Sequence, residues 1–148
     1  MSMDRKEIEM DVKQLAQDTV DSFNDRTYKE KAREVAAPDI VVTDKPSGQQ
    51  MSGVDGFIQY SDSFVTAMPD LKGEAMDHKV EGNKVITRVH GKGTFTGTLY
   101  TPQGTFPGTG KPLDIEYRLE QEFDNAGKLK HFSVDYDMQD FMRQLGLM

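Results

Sequence analysis

His78 is the histidine of this chain best placed to move a proton near neutral pH. A two-residue turn at Gly82 and Asn83 joins two strands in a register that sets His78 opposite Thr87. In that register His78 points to the apolar side of the hairpin, where it is a candidate general acid or base. The alternative is a structural histidine that is hydrogen-bonded to Thr87 or to the backbone.

Two aspartates, Asp135 and Asp137, lie at the end of the last predicted strand. Strict alternation turns both side chains outward, but a β-bulge would turn Asp137 inward as a second candidate proton shuttle. Aspartate is also a preferred N-cap residue, and Met138 to Leu145 is predicted to be a short helix. We favour the capping role, because N-cap preference is a stronger prior than an unseen bulge.

Eight apolar or aromatic residues are candidates to line a cavity for a flat, apolar ligand. Most of them are expected to belong to the core as well. Tyr117 and Tyr136 are the most informative, because a buried phenol needs a hydrogen-bond partner and can donate to a ligand carbonyl. The eight candidates are Tyr60, Phe64, Met68, Phe95, Tyr117, Phe132, Val134 and Tyr136.

The composition excludes several kinds of chemistry. The chain has 148 residues, a formal net charge of -7 and no cysteine, which rules out disulfides, thiolate metal sites and a cysteine nucleophile. An acidic chain is not expected to bind nucleic acid or an anionic membrane surface. The three histidines lack the spacing of metal ligands, and no phosphate-binding loop precedes a helix, so we expect neither a metal nor another cofactor.

Length and hydropathy indicate one soluble domain. The 148 residues are enough for a single core, and we expect one domain over residues 1–148. The N-terminal segment has no apolar run, and no stretch approaches the roughly 20 apolar residues that span a bilayer. We therefore expect a cytoplasmic protein.

Apolar residues recur at helical spacing in three segments. The first runs from Asp4 to about Asn24, with its first residue as the N-cap and Glu7 completing a capping box. The second begins at Thr27 and ends before Pro38. The third covers Gly53 to Met68. These helices precede most of the predicted strands.

Alternating apolar and polar residues predict five strands in the rest of the chain. They are Ile40–Asp44, Glu74–Glu81, Lys84–Thr98, Leu113–Phe123 and Leu129–Tyr136. Between two of them, residues 100–111 are predicted to be a flexible loop at the rim of a pocket. Helices followed by a sheet with one wet face predict an α+β fold, in which N-terminal helices pack on a curved antiparallel β-sheet and enclose a pocket.

The strand Lys84–Thr98 has an unusual buried side. Gly91, Gly93 and Gly97 lie on it, which indicates either a sharp bend or the close approach of a neighbouring element or a ligand. The opposite side is mostly charged or hydroxylic and is expected to be solvated. Ile86 on that side suggests contact with a second subunit.

A series of short motifs runs along most of the chain. The motifs are Ala37-Pro38-Asp39 with Asp44, Met68-Pro69-Asp70-Leu71, Gly82-Asn83-Lys84-Val85 with Arg88, Gly93-Thr94-Phe95-Thr96-Gly97, Gly108-Thr109-Gly110 and Gln144-Leu145-Gly146. In this order they resemble the SnoaL-like polyketide cyclase group of the nuclear transport factor 2-like superfamily. The resemblance implies a cone-shaped fold, a small-molecule pocket and a homodimer. Characterised members of this group catalyse the intramolecular aldol closure of a polyketide ester, and the resemblance implies the same activity here.

The resemblance also implies a position for the catalytic acid. In the family this acid lies on the last strand, directly after a tryptophan, but here Ser133 and Val134 occupy those two positions. Phe95 likewise stands where the family has a histidine. Two functions therefore remain open. One is a cofactor-independent cyclase or isomerase acting on a small hydrophobic carbonyl compound, with His78 or Asp137 as proton shuttle. The other is a non-catalytic module that binds a small hydrophobic ligand.

Overall fold

The computed structural model describes the backbone from residue 5 to residue 148 and the side chains from residue 11 onward. Within this part the helices are α1 Arg5–Asn24, α2 Tyr28–Val35, α3 Gly53–Ala67 and α4 Met138–Gln144. The strands are β1 Ala36–Asp44, β2 Gln49–Ser52, β3 Lys72–Glu81, β4 Lys84–Thr94, β5 Leu99–Thr101, β6 Gly104–Phe106, β7 Pro112–Phe123 and β8 Leu129–Asp135. The cap predicted at Asp4 and its partner side chain at Glu7 lie outside the described residues.

The predicted α+β architecture is confirmed, with helices packed on a curved sheet of six strands. The strands follow the order β2-β1-β8-β7-β4-β3, and β5 pairs with β6 in a separate ribbon. Every neighbouring pair in the sheet is antiparallel except β1 and β8, which are parallel. The sheet is therefore mixed and not antiparallel throughout. A long stretch of chain separates β1 from β8, so no tight hairpin joins them and they can pair in parallel.

The hairpin of β3 and β4 has the register predicted from its turn. Val80 pairs with Val85, and His78 pairs with Thr87. Continued along the hairpin, the same register would set Met76 opposite Val89, but Ala75 occupies that place. Met76 is the extra residue of a β-bulge, and 49% of its surface is exposed.

Neighbouring elements occupy the space that the glycines of β4 and its extension leave open. A side chain at Gly91 would place its Cβ atom 2.7 Å from the ring of Tyr117. A side chain at Gly97 would overlap the carbonyl oxygen of Thr66 at the end of α3, and the Gly97 amide donates to the next carbonyl, that of Ala67. The predicted close approach is thus that of a helix end and of a tyrosine on the adjacent strand.

Residues 100–111, predicted as a loop, contain part of a small β-ribbon. β5 and β6 pair from Leu99 with Phe106 to Thr101 with Gly104. The alternation signal is weak there because each strand has only three residues. None of residues 100–111 lines the cavity described below, so the predicted rim is not formed by this segment.

Candidate functional site

A cavity of about 110 Å³ lies between the helices and the sheet. Its walls come from α1, α2 and α3 on one side and from β7 and β8 on the other, with α4 at one end. Most of the lining side chains are aliphatic or aromatic, and four of them are tyrosines: Tyr28, whose hydroxyl donates to Asp62, and Tyr60, Tyr117 and Tyr136. An apolar cavity with a few polar groups is the usual form of a small-molecule site.

Seven of the eight predicted lining residues contribute to the cavity wall. They are Tyr60, Phe64, Met68, Tyr117, Phe132, Val134 and Tyr136. Phe95 is the exception, because β4 ends at Thr94 and the next side chain is fully buried in a second apolar cluster with Leu99 and Leu113. Phe95 is therefore a core residue at the end of the sheet.

A buried carboxylate, that of Asp44, stands behind two of the cavity tyrosines. Asp44 is the last residue of β1 and only 4% of its surface is exposed. Tyr60 Oη donates to Asp44 Oδ2 at 2.8 Å, and Tyr136 Oη donates to the same oxygen at 3.0 Å. The amide and the hydroxyl of Ser47 donate to Asp44 Oδ1 at 3.1 Å and 3.0 Å. Four donors therefore hold one carboxylate in place.

The surroundings keep both phenols protonated. Burial, together with the nearby charge of Asp44, raises the pKa of Tyr60 well above its ordinary value. Burial and the same carboxylate raise the pKa of Tyr136. Each hydroxyl proton is directed at Asp44, so the hydroxyl oxygen keeps lone pairs that can accept a hydrogen bond.

Tyr117 is a different kind of polar group in the cavity. Its ring packs against Gly91, and a Cβ atom at Gly73 would lie 2.5 Å from its hydroxyl oxygen. Burial raises the pKa of Tyr117 to about 12. Among the described residues its hydroxyl makes no hydrogen bond, so Tyr117 keeps a proton that it can donate to a ligand.

The comparisons with known proteins identify the family. A model of the SnoaL-like polyketide cyclase family matches residues 13–145, which is most of the chain. The chain belongs to the SnoaL-like polyketide cyclase family. The comparison with curated proteins found no match.

Solved structures of similar fold include several cyclase candidates. A candidate SnoaL-like polyketide cyclase from Jannaschia Sp. CCS1 superposes with a TM-score of 0.87 at 17% identity, over 99% of each chain. AclR, a candidate hydroxylase from Streptomyces galilaeus, gives 0.76 at 21% identity, over 95% of this chain and 87% of its own. IdmH, a candidate polyketide cyclase from Streptomyces antibioticus, gives 0.72 at 20% identity, over 91% and 98%. At such identities the likeness shows the cone-shaped fold.

In this SnoaL-like chain, Asp44 lies beside the position expected for the family's acid. β1 and β8 pair with Asp44 opposite Val134, and both side chains are buried. The sequence contains a signal for this site, since Ile40, Val42 and Asp44 alternate on one face of β1 and the first two are fully buried. Sequence reasoning named Asp44 only as a motif residue, because its tyrosine partners lie 16 and 92 residues away.

The structure places His78 outside the cavity. Its side chain is on the inner side of β3, as predicted, but it faces α1. His78 Nδ1 lies 2.7 Å from Thr87 Oγ1, and Nε2 lies 2.8 Å from Gln17 Oε1. Because Gln17 Nε2 donates to Asp21 Oδ1, the glutamine oxygen is the acceptor for His78 Nε2–H. This is the structural alternative for His78, which connects α1 to β3.

Asp137 also lies away from the cavity wall. It is the N-cap of α4, and its side chain accepts from the amide of Asp140 at 3.1 Å. The carboxylate of Asp135 lies 3.5 Å from Arg118 on the outer side of the sheet. The favoured capping role of Asp137 is thus the one that its geometry supports.

Two further sequence expectations concern metals and membranes. Among the described residues, no group of three or more histidine or carboxylate side chains could hold a metal ion. Within the same part of the chain, no helix is long and apolar enough to cross a membrane.

Proposed function

We propose that this SnoaL-like chain binds a small, flat, largely apolar carbonyl compound in the cavity and catalyses cofactor-independent chemistry next to the carbonyl, of the cyclase or isomerase kind. The family match supports a cyclase or ligand-binding role. The observation that carries the proposal is the set of tyrosines in a mostly apolar cavity, above all Tyr60, Tyr117 and Tyr136. Phenols can donate hydrogen bonds to a carbonyl and can take part in proton transfer next to it.

The size of the cavity narrows the ligand class. Its volume of about 110 Å³ is of the order of an engineered protein cavity of about 150 Å³ that binds benzene. A small cyclic molecule therefore suits it. Its carbonyl would accept from Tyr117, whose hydroxyl proton has no other acceptor among the described residues.

Calorimetry with the flat bicyclic ketone 2-indanone and its hydrocarbon analogue indane tests this proposal. Both should bind, and the ketone should bind about fivefold more tightly, since one net hydrogen bond contributes about 1 kcal/mol. Tyr117→Phe should remove the preference for the ketone. Tyr100→Phe is the matched control, because Tyr100 is 59% exposed and outside the cavity.

Two results would contradict the proposal. One is no saturable binding of either molecule to the wild-type chain. The other is a preference for the ketone that survives in Tyr117→Phe, because the carbonyl would then contact another group.

A non-catalytic binding module is the alternative, and one feature favours it. The expected acid position holds Val134, and neither His78 nor Asp137 lines the cavity. If 2-indanone binds and its hydrogens next to the carbonyl exchange with solvent no faster than without protein, the binding module is the correct function.

We also propose a cytoplasmic homodimer that uses the outer face of the sheet. Ile86 is partly buried there between its cross-strand neighbours Lys79 and Glu120. Sedimentation velocity should give the mass of two chains, and Ile86→Glu should give the mass of one. A wild-type chain that sediments as a monomer would contradict the dimer.

A further inference from the structure

We propose that Asp44 is the final proton acceptor of this site and acts through the hydroxyl groups of Tyr60 and Tyr136. The inference rests on the proposed function and adds a proton-transfer route to it. In this route the two tyrosines contact the ligand, and Asp44 stands behind them. The route supplies a carboxylate to a site where the expected acid position is Val134.

The first support is the geometry of the cluster. Both tyrosines line the cavity, and both donate to a single oxygen of Asp44 at 2.8 Å and 3.0 Å. The other oxygen is held by Ser47, so the carboxylate cannot turn away from the phenols without losing these bonds. A proton that reaches either phenol oxygen therefore has a hydrogen bond along which the phenol's own proton can pass to Asp44.

The second support is the location of the cluster within the sheet. Asp44 and Val134 are paired residues on neighbouring strands, which lie about 4.8 Å apart. A carboxylate on β1 with a tyrosine in front of it can therefore serve the same end of the cavity as an acid on β8. Among the described residues Asp44 has no cationic partner, so hydroxyl and amide donors alone hold its charge.

The proposed step is balanced in atoms and electrons. The C–H bond next to the ligand carbonyl breaks, and its electron pair forms the enolate, whose oxygen accepts from Tyr117. The proton goes to the hydroxyl oxygen of Tyr60 or Tyr136, while the original phenol proton moves to Asp44 Oδ2. In the second half the proton returns by the same route, either to carbon in an isomerisation or to the new alkoxide in an aldol closure. Asp44 ends as the carboxylate.

Exchange of the α-hydrogens of 2-indanone for deuterium in D2O, followed by proton NMR, tests the route. The wild-type chain should accelerate the exchange, and Asp44→Asn should lower the rate at saturating ketone by about 100-fold, a typical effect of losing a general base. The dissociation constant of 2-indanone should stay within about threefold. Asp135→Asn is the control, because that carboxylate lies outside the cavity and should leave the rate unchanged.

A variant of the two phenols separates proton transfer from a merely structural role of Asp44. The double variant Tyr60→Phe with Tyr136→Phe should also lose the acceleration, and it keeps the test valid if Asp44→Asn does not fold.

Each outcome distinguishes the route from the proposed function. Acceleration by the wild-type chain that persists in a folded Asp44→Asn and in the double phenylalanine variant would overturn the route and leave the function intact. Binding of the ketone without any acceleration would overturn the route together with the catalytic part of the function. Absence of binding would overturn the proposed function itself.

Discussion

At the scale of single residues, the site depends on how a buried charge is satisfied. Moving a carboxylate out of water costs several kcal/mol unless donors replace the lost water. Asp44 has such donors in Tyr60, Tyr136 and Ser47. The cluster therefore keeps a carboxylate next to an apolar cavity, and two of its donors, Tyr60 and Tyr136, line that cavity.

Gln121 is a contrasting case, because its side chain is fully buried and only one of its two polar atoms has a hydrogen-bond partner among the described residues. Its Nε2 atom donates to the carbonyl of Ala16 at 3.3 Å, and its Oε1 atom has no partner among the described residues. Gln121→Met should raise the free energy of unfolding by about 1 kcal/mol, because it removes an unpaired buried acceptor. Ala16 keeps a partner within α1. Urea denaturation measures the change, and a loss of stability would show that the oxygen is satisfied in solution.

His78 should make folding sensitive to mild acid. Burial, and secondarily the charge of Lys13, lowers the pKa of His78 below its ordinary 6.5, while Asp77 and Asp21 act in the opposite direction. The unfolded chain then binds more protons than the folded chain, so stability falls as the pH drops below 6.5 and through the folded pKa. Denaturation curves recorded between about pH 7.5 and about pH 5, a range that includes the ordinary histidine pKa of about 6.5, should show this fall in the free energy of unfolding.

A histidine substitution assigns that pH dependence to its source. In His78→Gln the part of the fall that begins near 6.5 should be absent, because glutamine does not titrate. His131→Gln, at a histidine whose side chain is 54% exposed, is the control and should keep the fall. An unchanged pH dependence in His78→Gln would show that another group is responsible.

At the scale of elements, the end of β8 and the start of α4 decide the role of Asp137. Asp137→Ala should lower the free energy of unfolding by about 1 kcal/mol, and Asp137→Asn should be close to neutral, since asparagine caps helices as well as aspartate does. Thermal denaturation measures both. A proton shuttle would give the opposite pattern, in which Asp137→Asn stays folded but loses the exchange activity of the wild-type chain.

Elements with local signals were predictable from the sequence. The turn at Gly82 and Asn83 fixes the β3–β4 register near it, and helical spacing gave α2 and α3 to within a few residues. The parallel pairing of β1 with β8 and the bulge at Met76 were not predicted. The parallel pairing depends on a contact between distant parts of the chain, and the bulge is a local irregularity of one strand. The alternation of apolar and polar residues indicates neither of them.

In the candidate site, too, features with a local sequence signal were predictable and long-range contacts were not. Helical spacing in α3 and alternation in β7 and β8 place the lining side chains on inner faces, which is why seven of the eight candidates line the cavity. Phe95 was misassigned because the sequence does not mark where β4 ends. Asp44 has the alternation of a buried residue, but its link to Tyr60 and Tyr136 exists only in the folded chain.

At the scale of the whole molecule, the cavity lies between the layers of the α+β fold. A ligand bound there would contact helices and sheet together, and only the folded chain has this cavity. Binding must therefore stabilise the chain in proportion to the logarithm of ligand concentration. We therefore expect the ligand in the cavity and not in a surface groove.

The most direct test of this location is the affinity of 2-indanone for a chain whose cavity is filled. Val134→Phe places a ring in the cavity, and Val80→Phe makes the same change on β3, away from the cavity wall. Calorimetry should show binding to the wild-type chain and to Val80→Phe, and at least a tenfold loss of affinity in a folded Val134→Phe. Equal affinity in all three proteins would contradict the assignment of this cavity as the ligand site.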